Sequence, residues 1–365
     1  MSSEMLTTLL YVLGTDPPLL HCRWGIFHLE GFMAYDKPFL SYDKQIDLLI
    51  QRGLLIFNRD FATRALSTLS YYDLINRYKN HFMTADDVFH PNITIEYLYD
   101  FFLFDKEIQS FILKYSVLIE SIFKTKFSYT LSHNIGVDTS QYLKPYYYDQ
   151  AIVNSNLTFK DVQLEIFKWL NGNTVKNPTK YYLENHNHVP SWILFKNLSL
   201  GNTINLFKFF SHTSKHDLVD SIVTTQNISF PDKVSFISCA IDAIREFRNC
   251  AAHSLNFTEL RINSRRRPAP SILYKLTGTP FLSKKDKKVL SSDKKSTLGI
   301  YGCMLSMFIL LGDPYLQSKF ISDFLTLLSP SNLSNVELYN TYAEITDMPL
   351  DIYQRFLMYY KNINR

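Results

Sequence analysis

The sequence predicts an all-α protein: a helical bundle with an N-terminal helical hairpin module and C-terminal helices. Apolar residues recur at steps of three and four along most of the chain, which is the spacing of one helix face. The clearest run spans residues 93–135, where neither glycine nor proline interrupts the pattern. No series of alternating apolar and polar residues predicts strands, and no internal repeat is found.

The N-terminal part of the chain is expected to contain two pieces. Residues 1–36 fit no period and predict an irregular extension, which lacks the positive segment of a signal peptide. Residues 37–92 predict a helical module. Its first helix should end near Gly53, because glycine readily adopts the left-handed conformation that follows many helices. Asn58 is placed to cap a second, continuous helix that reaches residue 82.

Residues 93–260 predict the helical bundle itself. Its first helix should be roughly 35 residues long, which exceeds the usual globular range. Asp105 falls on the apolar side of this helix, and we expect it to be a cap or a paired core polar group rather than a catalytic acid.

The later bundle helices are predicted from their starts and breaks. One helix is expected over residues 159–171, and another after Pro190 and Ser191, with Leu200 and Gly201 separating it from the next. Ser229 is placed to cap a final helix that carries FRNCAAHSLNF, residues 247–257.

Residues 261–296 predict a basic loop region. They contain eleven Arg and Lys against two Asp, although the net charge of the whole chain is only +4. Such localised charge indicates an anionic partner, most simply a nucleic-acid backbone, and a merely solvated loop is the alternative.

Residues 297–365 predict a C-terminal helical region. Within it, the apolar run 298–312 is shorter than the about 20 residues that cross a bilayer and predicts a buried core helix.

Several classes of chemistry lack their sequence signatures. The four cysteines form no CxxC pair and no zinc-ligand spacing with histidine, which favours reduced thiols in the cytoplasm. The chain has no phosphate-binding P-loop, no HExxH, no GxSxG and no GxGxxG motif. We therefore expect neither a metal nor a cofactor.

The segment REFRNCAAH carries the candidate site. On a helix, Arg245, Asn249 and His253 are each four residues apart and form one polar line, with Arg248 beside it. An arginine matches a phosphate, an amide positions a neighbouring group, and an imidazole moves a proton near neutral pH. The alternative is that His253 only ends its helix, stabilised by the negative helix terminus.

The chain resembles the Abi-like proteins of bacterial abortive-infection systems, of the AbiD and AbiF type, whose core is a HEPN helical bundle. The resemblance covers about residues 37–260 and is carried by collinear stretches, of which the Arg-Asn-x-x-Ala-His signature is the specific one. These stretches are KPFLSYDKQIDLLIQRGLLI, LSTLSYYDLINRY, LYDFFLFDKEIQSFILKYSVLIESI, VPSWILFKNLSLGNTINLF and FRNCAAHSLNF. Three departures are visible. Ser254 stands where a second histidine is common, Phe123 where a second glutamate is usual, and Asp73 where a basic residue is common.

The resemblance implies that Arg248 and His253 form a HEPN ribonuclease motif with Asn249, supported by Glu120 and Arg245. HEPN enzymes cleave RNA without a metal, using its 2′-hydroxyl as the nucleophile, and pair two bundles around one cleft. A homodimer or higher homo-oligomer in the bacterial cytoplasm, with no membrane contact, is therefore expected. The basic residues expected to contact RNA are Arg261, Arg265, Arg266, Arg267, Lys284, Lys285, Lys287 and Lys288.

Two other functions remain open from the sequence. The missing second histidine and glutamate are compatible with a non-catalytic protein that holds a specific structured RNA. A protein-interaction subunit, whose basic stretch contacts an acidic partner, is the other alternative.

Overall fold

The computed structural model describes seven ranges of the chain: residues 37–149, 157–171, 175–225, 228–253, 255–277, 295–328 and 333–364. Its helices are, in chain order, α1 (Tyr42–Gln51), α2 (Arg59–Thr68), α3 (Tyr71–Leu74), α4 (Lys79–Phe82), α5 (Ile95–Asn134), α6 (Thr139–Tyr142), α7 (Phe159–Phe167), α8 (Thr179–Asn185), α9 (Ser191–Asn197), α10 (Leu200–Phe209), α11 (His212–Ile222), α12 (Phe230–Ala252), α13 (Pro270–Thr277), α14 (Ile300–Leu311), α15 (Pro314–Leu327), α16 (Leu333–Thr346) and α17 (Ile352–Ile363).

The helices confirm the all-α prediction. Within the described ranges, β-pairing is limited to isolated bridges such as Leu55 with Thr94. The chain divides into two compact units, residues 1–45 and 46–365. The described part of the first unit, residues 37–45, includes the beginning of α1. The second unit contains α2 to α17 and is the part of the chain that carries the candidate site.

Helix α5 is the central element of the second unit. Thr94 caps it by accepting a hydrogen bond from the Tyr97 N–H at 3.0 Å, and the helix then runs for 40 residues, slightly longer than predicted. Helices α9, α11, α12, α14 and α16 all pack along it. Its length of about 60 Å lets one helix contact both the early and the late parts of the chain.

The region after α1 partly follows the prediction. Gly53 has a φ of 88° just beyond α1, and the Asn58 side chain accepts a hydrogen bond from the Phe61 N–H at 2.9 Å, as expected. The prediction of one continuous helix from Asn58 to residue 82 is wrong, because the chain leaves helical geometry after Thr68. Ser70 instead caps α3 by accepting from the Asp73 N–H at 3.2 Å. A local cap therefore overrides the continuous apolar period.

Two boundaries between α7 and α10 also differ from the sequence interpretation. Helix α7 ends at Phe167 rather than at residue 171. Leu200 and Gly201 do not separate helices but open α10, because the Ser199 side chain accepts a hydrogen bond from the Asn202 N–H at 3.0 Å. The break therefore lies at Leu198 and Ser199.

Helices α12 and α14 form the core as predicted. Ser229 caps α12, and Phe236, Ala240 and Phe247 are buried on its apolar face. All twelve residues of α14 are buried, and Gly312 ends the helix in left-handed geometry. Across the described ranges, no helix combines the length and the apolarity needed to cross a bilayer.

The buried Asp105 joins three parts of the chain. Its carboxylate accepts hydrogen bonds from the Tyr78 hydroxyl at 2.9 Å, the Tyr342 hydroxyl at 3.0 Å and the Gln109 amide at 2.8 Å. Burial raises the pKa of Asp105, and it also raises the pKa of both tyrosines. The expectation of a paired core group is confirmed, and the pairing ties α5 to α16 and to the 3₁₀ turn Asn76–Tyr78.

Candidate functional site

The C-terminal end of α12 presents the signature residues to solvent. Cys250 and Ala251 are buried and anchor the last turn against the core. Asn249 and His253 are exposed, and Arg248 is partly exposed. His253 is the residue that ends the helix, and its backbone N–H donates to the Asn249 carbonyl at 3.1 Å. The three candidate side chains are therefore held by a rigid helix yet remain accessible to a ligand.

Arg248 and Asn249 contact each other directly. The Arg248 Nη1 donates to the Asn249 Oδ1 at 3.1 Å. This bond restricts the guanidinium while leaving its other donors for a ligand, since an arginine offers five N–H groups. Asn249 thus orients the arginine in this structure.

A groove of about 450 Å³ lies beside the end of α12 and receives Arg248. Helix α5 contributes Glu120 and Lys124 to its lining, and α9 contributes Trp192 and Lys196. The charged side chains of this groove are the cations Lys124, Lys196 and Arg248 and the carboxylate of Glu120. A surface of this composition attracts anions, and arginine and lysine both bind phosphate.

Glu120 lies in this groove but is engaged by a neighbour. The Lys124 ammonium donates to the Glu120 Oε1 at 2.6 Å and to the Leu198 carbonyl at 2.5 Å. The structure therefore brings the proposed supporting glutamate into the same groove as Arg248. Its contact within the chain is an ion pair with Lys124 one helical turn away.

Arg245 lies one turn before Asn249 and pairs within the chain. Its Nη2 is 3.5 Å from the Asp242 Oδ1, while Lys208 donates to the other oxygen of Asp242 at 2.6 Å. A methyl group at Gly201 would lie 3.4 Å from the Arg245 Nη1. Arg245 therefore packs between α12 and the start of α10, which is a role in supporting the helix.

The segment after His253 is held by the N-terminal part of the second unit. The buried Arg77 forms an ion pair with Asp73 and donates from Nη1 to the Leu255 carbonyl at 2.5 Å. The Glu259 carboxylate accepts from the Asn80 amide at 2.8 Å and from the Asn256 amide at 2.7 Å. These contacts fix residues 255–259, a segment that begins two positions after His253.

The basic stretch is distributed among different roles. Arg261 donates to the carbonyls of Thr258, Leu260 and Ile345 and pairs with Asp347 at 3.1 Å, so that it clamps the chain to α16. Arg266 pairs with Glu246.

Arg267 and Arg265 belong to the same basic stretch and differ in burial. The guanidinium of Arg267 donates to the Thr297 hydroxyl, and burial lowers the pKa of this arginine. Arg265 is exposed. The predicted contacts Lys284, Lys285, Lys287 and Lys288 lie outside the described residues.

Lys124, Trp192 and Lys196 were missed by the sequence interpretation. Each cation stands four positions after another groove residue, Lys124 after Glu120 and Lys196 after Trp192. This spacing places both members of a pair on one helix face and was the available signal. In the part of the chain that the structure describes, no group of three or more His, Cys, Asp or Glu side chains could hold a metal ion.

Comparison with known proteins identifies the family. The family model described as Abi-like protein matches residues 64–258. No curated protein and no solved structure shows a significant match to the chain. The matched residues make up more than half of the chain and include α5, α9 and α12, which supply the lining of the groove. The chain therefore belongs to the Abi-like protein family, which suggests a role in abortive infection, a defence against phage.

Proposed function

We propose that the protein is a metal-independent endoribonuclease of phage defence, with a HEPN-type site at the end of α12. One observation carries this proposal. Arg248 projects into a groove that also holds Lys124 and Lys196, and the accessible imidazole of His253 stands at the end of the same helix. The cations of the groove supply the charge that binds a phosphodiester, and His253, five residues after Arg248 and outside the lining of the groove, supplies the proton-transfer group.

The chemistry follows from these groups. The 2′-hydroxyl of a ribose attacks the adjacent phosphorus as His253 accepts its proton, and Arg248 stabilises the negative charge that develops on the phosphoryl oxygens. The bond to the 5′-oxygen of the next nucleotide breaks, and that oxygen takes up a proton. The products are a 2′,3′-cyclic phosphate and a 5′-hydroxyl. One histidine supplies one proton-transfer group, so we propose that a second copy of the chain in a two-fold dimer supplies the other.

The cleavage products test this proposal. Purified protein incubated with cellular RNA in excess EDTA should produce 2′,3′-cyclic phosphate ends, since the 2′-hydroxyl is the nucleophile and no metal is needed. A 2′-deoxy substitution at the cleaved nucleotide should stop the reaction. Cleavage that needs a divalent ion, or that leaves 3′-hydroxyl ends, would contradict the proposal. RNA binding without any cleavage would identify the chain as a non-catalytic RNA-binding protein.

The basic stretch gives a second test through the salt dependence of RNA binding. Arg265→Ala should weaken binding and reduce the slope of log K against log salt by about 0.7, because one fewer counterion is released from a single strand. Filter binding at several salt concentrations measures this slope. Arg64→Ala, which removes an exposed arginine on α2, is the matched control and should change nothing. An unchanged slope for Arg265→Ala would mean that this arginine is merely solvated.

A further inference from the structure

Trp192 is a large aromatic side chain that the fold leaves open to solvent. It lies on α9 with 45% of its surface exposed, although Leu194 and Phe195 of the same short helix are buried. It faces the groove that contains Arg248. An exposed aromatic face beside three cations suits a ligand that combines a flat ring with negative charge, which is the composition of a nucleotide.

A second groove adjoins the first along α5. It has a volume of about 380 Å³, and Thr125 lines both grooves. The exposed residues Ser121, Thr125 and Tyr129 are four positions apart, so they follow one line on the helix surface. Tyr129 lines the second groove with 68% of its surface exposed. The two grooves therefore meet at Thr125 on the exposed line of α5, one on the side of α9 and the other on the side of α11, with an open aromatic side chain in each.

The ring of Tyr129 is held in place by its neighbours. It stacks on the His133 ring with centroids 5.7 Å apart and an interplanar angle of 12°. His133 Nδ1 lies 2.6 Å from the Asn134 Oδ1, and the Asn134 amide donates to Asp217 on α11 at 2.6 Å. Because the Asn134 amide nitrogen donates to Asp217, the Asn134 Oδ1 is the atom that faces His133. The His133 Nδ1–H donates a hydrogen bond to this oxygen. A ring ordered in advance loses little entropy when a base stacks on it.

We propose that the two grooves form one path for a single strand of RNA, in which unpaired bases stack on Trp192 and Tyr129. The inference rests on the proposed ribonuclease function and names the substrate class of that site as RNA with unpaired nucleotides. In a duplex the faces of the bases are covered by their neighbours, so neither aromatic side chain can reach them. Stacking uses the face that every base shares, and the path therefore tolerates different sequences.

Binding of oligonucleotides that cannot be cleaved tests the inference. Fluorescently labelled 2′-deoxy 12-mers lack the nucleophile, so their affinity is measured by anisotropy without any reaction. A single strand should bind much more tightly than a hairpin duplex of the same length. Trp192→Leu and Tyr129→Leu should each reduce the single-strand affinity about ten-fold. Trp192→Phe should stay within about three-fold of the unmodified protein, because phenylalanine keeps a stacking face.

The control is Tyr315→Leu, which removes an aromatic side chain that is 76% exposed on α15, away from both grooves, and should leave affinity unchanged. All these side chains are at the surface, and thermal unfolding of each variant verifies that it folds. The inference would be overturned if the unmodified protein bound single strand and duplex with equal affinity. It would also be overturned if Trp192→Leu bound the single strand as tightly as the unmodified protein does. Failure of the path to bind nucleic acid while an acidic protein binds there would identify a protein partner instead.

The two proposals fail in different ways. If RNA is never cleaved but aromatic-dependent binding persists, the ribonuclease proposal is wrong and the strand path stands. If cleavage occurs and neither Trp192→Leu nor Tyr129→Leu changes the affinity for 2′-deoxy strands, the strand path is wrong and the ribonuclease proposal stands.

Discussion

His253→Ala should reduce RNA cleavage by about 10²- to 10⁴-fold, the typical contribution of a positioned proton-transfer group. The imidazole is exposed at the end of α12, and the backbone bond to Asn249 does not depend on the side chain. The melting temperature and the oligomer size should therefore remain unchanged. Cleavage rate with a saturating RNA, thermal unfolding and gel filtration measure the three quantities.

A histidine elsewhere on the surface is the control for this change. His90→Ala removes an exposed imidazole from the loop before α5, and it should cleave RNA at the normal rate. Cleavage by His253→Ala at the rate of the unmodified protein would remove His253 from the mechanism. A loss of cleavage accompanied by a large fall in melting temperature would show instead that the histidine holds the helix end.

Asp105→Ala should lower the free energy of unfolding by about 2–5 kcal/mol, since buried donors lose their acceptor and a cavity is left. The hydroxyls of Tyr78 and Tyr342 would be the unpaired donors. Urea unfolding followed by circular dichroism measures the change. A change below about 0.5 kcal/mol, the usual range of surface substitutions, would contradict the assignment of this network to the core.

The same carboxyl group should make stability depend on pH. Burial raises the pKa of Asp105 in the folded protein, so its proton binds more tightly there than in the unfolded chain. This contribution to stability is fully present below the unfolded pKa of about 4 and is lost as pH rises through the folded pKa.

Asp105→Asn removes the titration and isolates this effect. The free energy of unfolding of the unmodified protein, minus that of Asp105→Asn, should decrease as pH rises from 4 to 8. A constant difference for Asp105→Asn would mean that the buried carboxyl does not titrate in this window.

Local structure that depends on neighbours in the chain was predictable at several helix ends. Asn58 and Ser229 cap helices through hydrogen bonds that span three residues, and both caps were predicted from the sequence. The apolar periods of α5 and α12 likewise predicted their buried faces, and the apolar run 298–312 predicted that α14 is buried. The break at Ser70 was missed because a serine inside an apolar period is compatible with either a helix interior or a cap.

The sequence by itself determined the all-α class, the long helix α5, the buried position of Asp105 and the signature at the end of α12. Only the tertiary structure decided that Arg248 shares a groove with Lys124 and Trp192, and that Arg261 clamps α16 instead of standing free. The physical reason is distance along the chain. Helix period and caps arise from contacts within four residues, whereas a groove forms where helices far apart in sequence pack side by side.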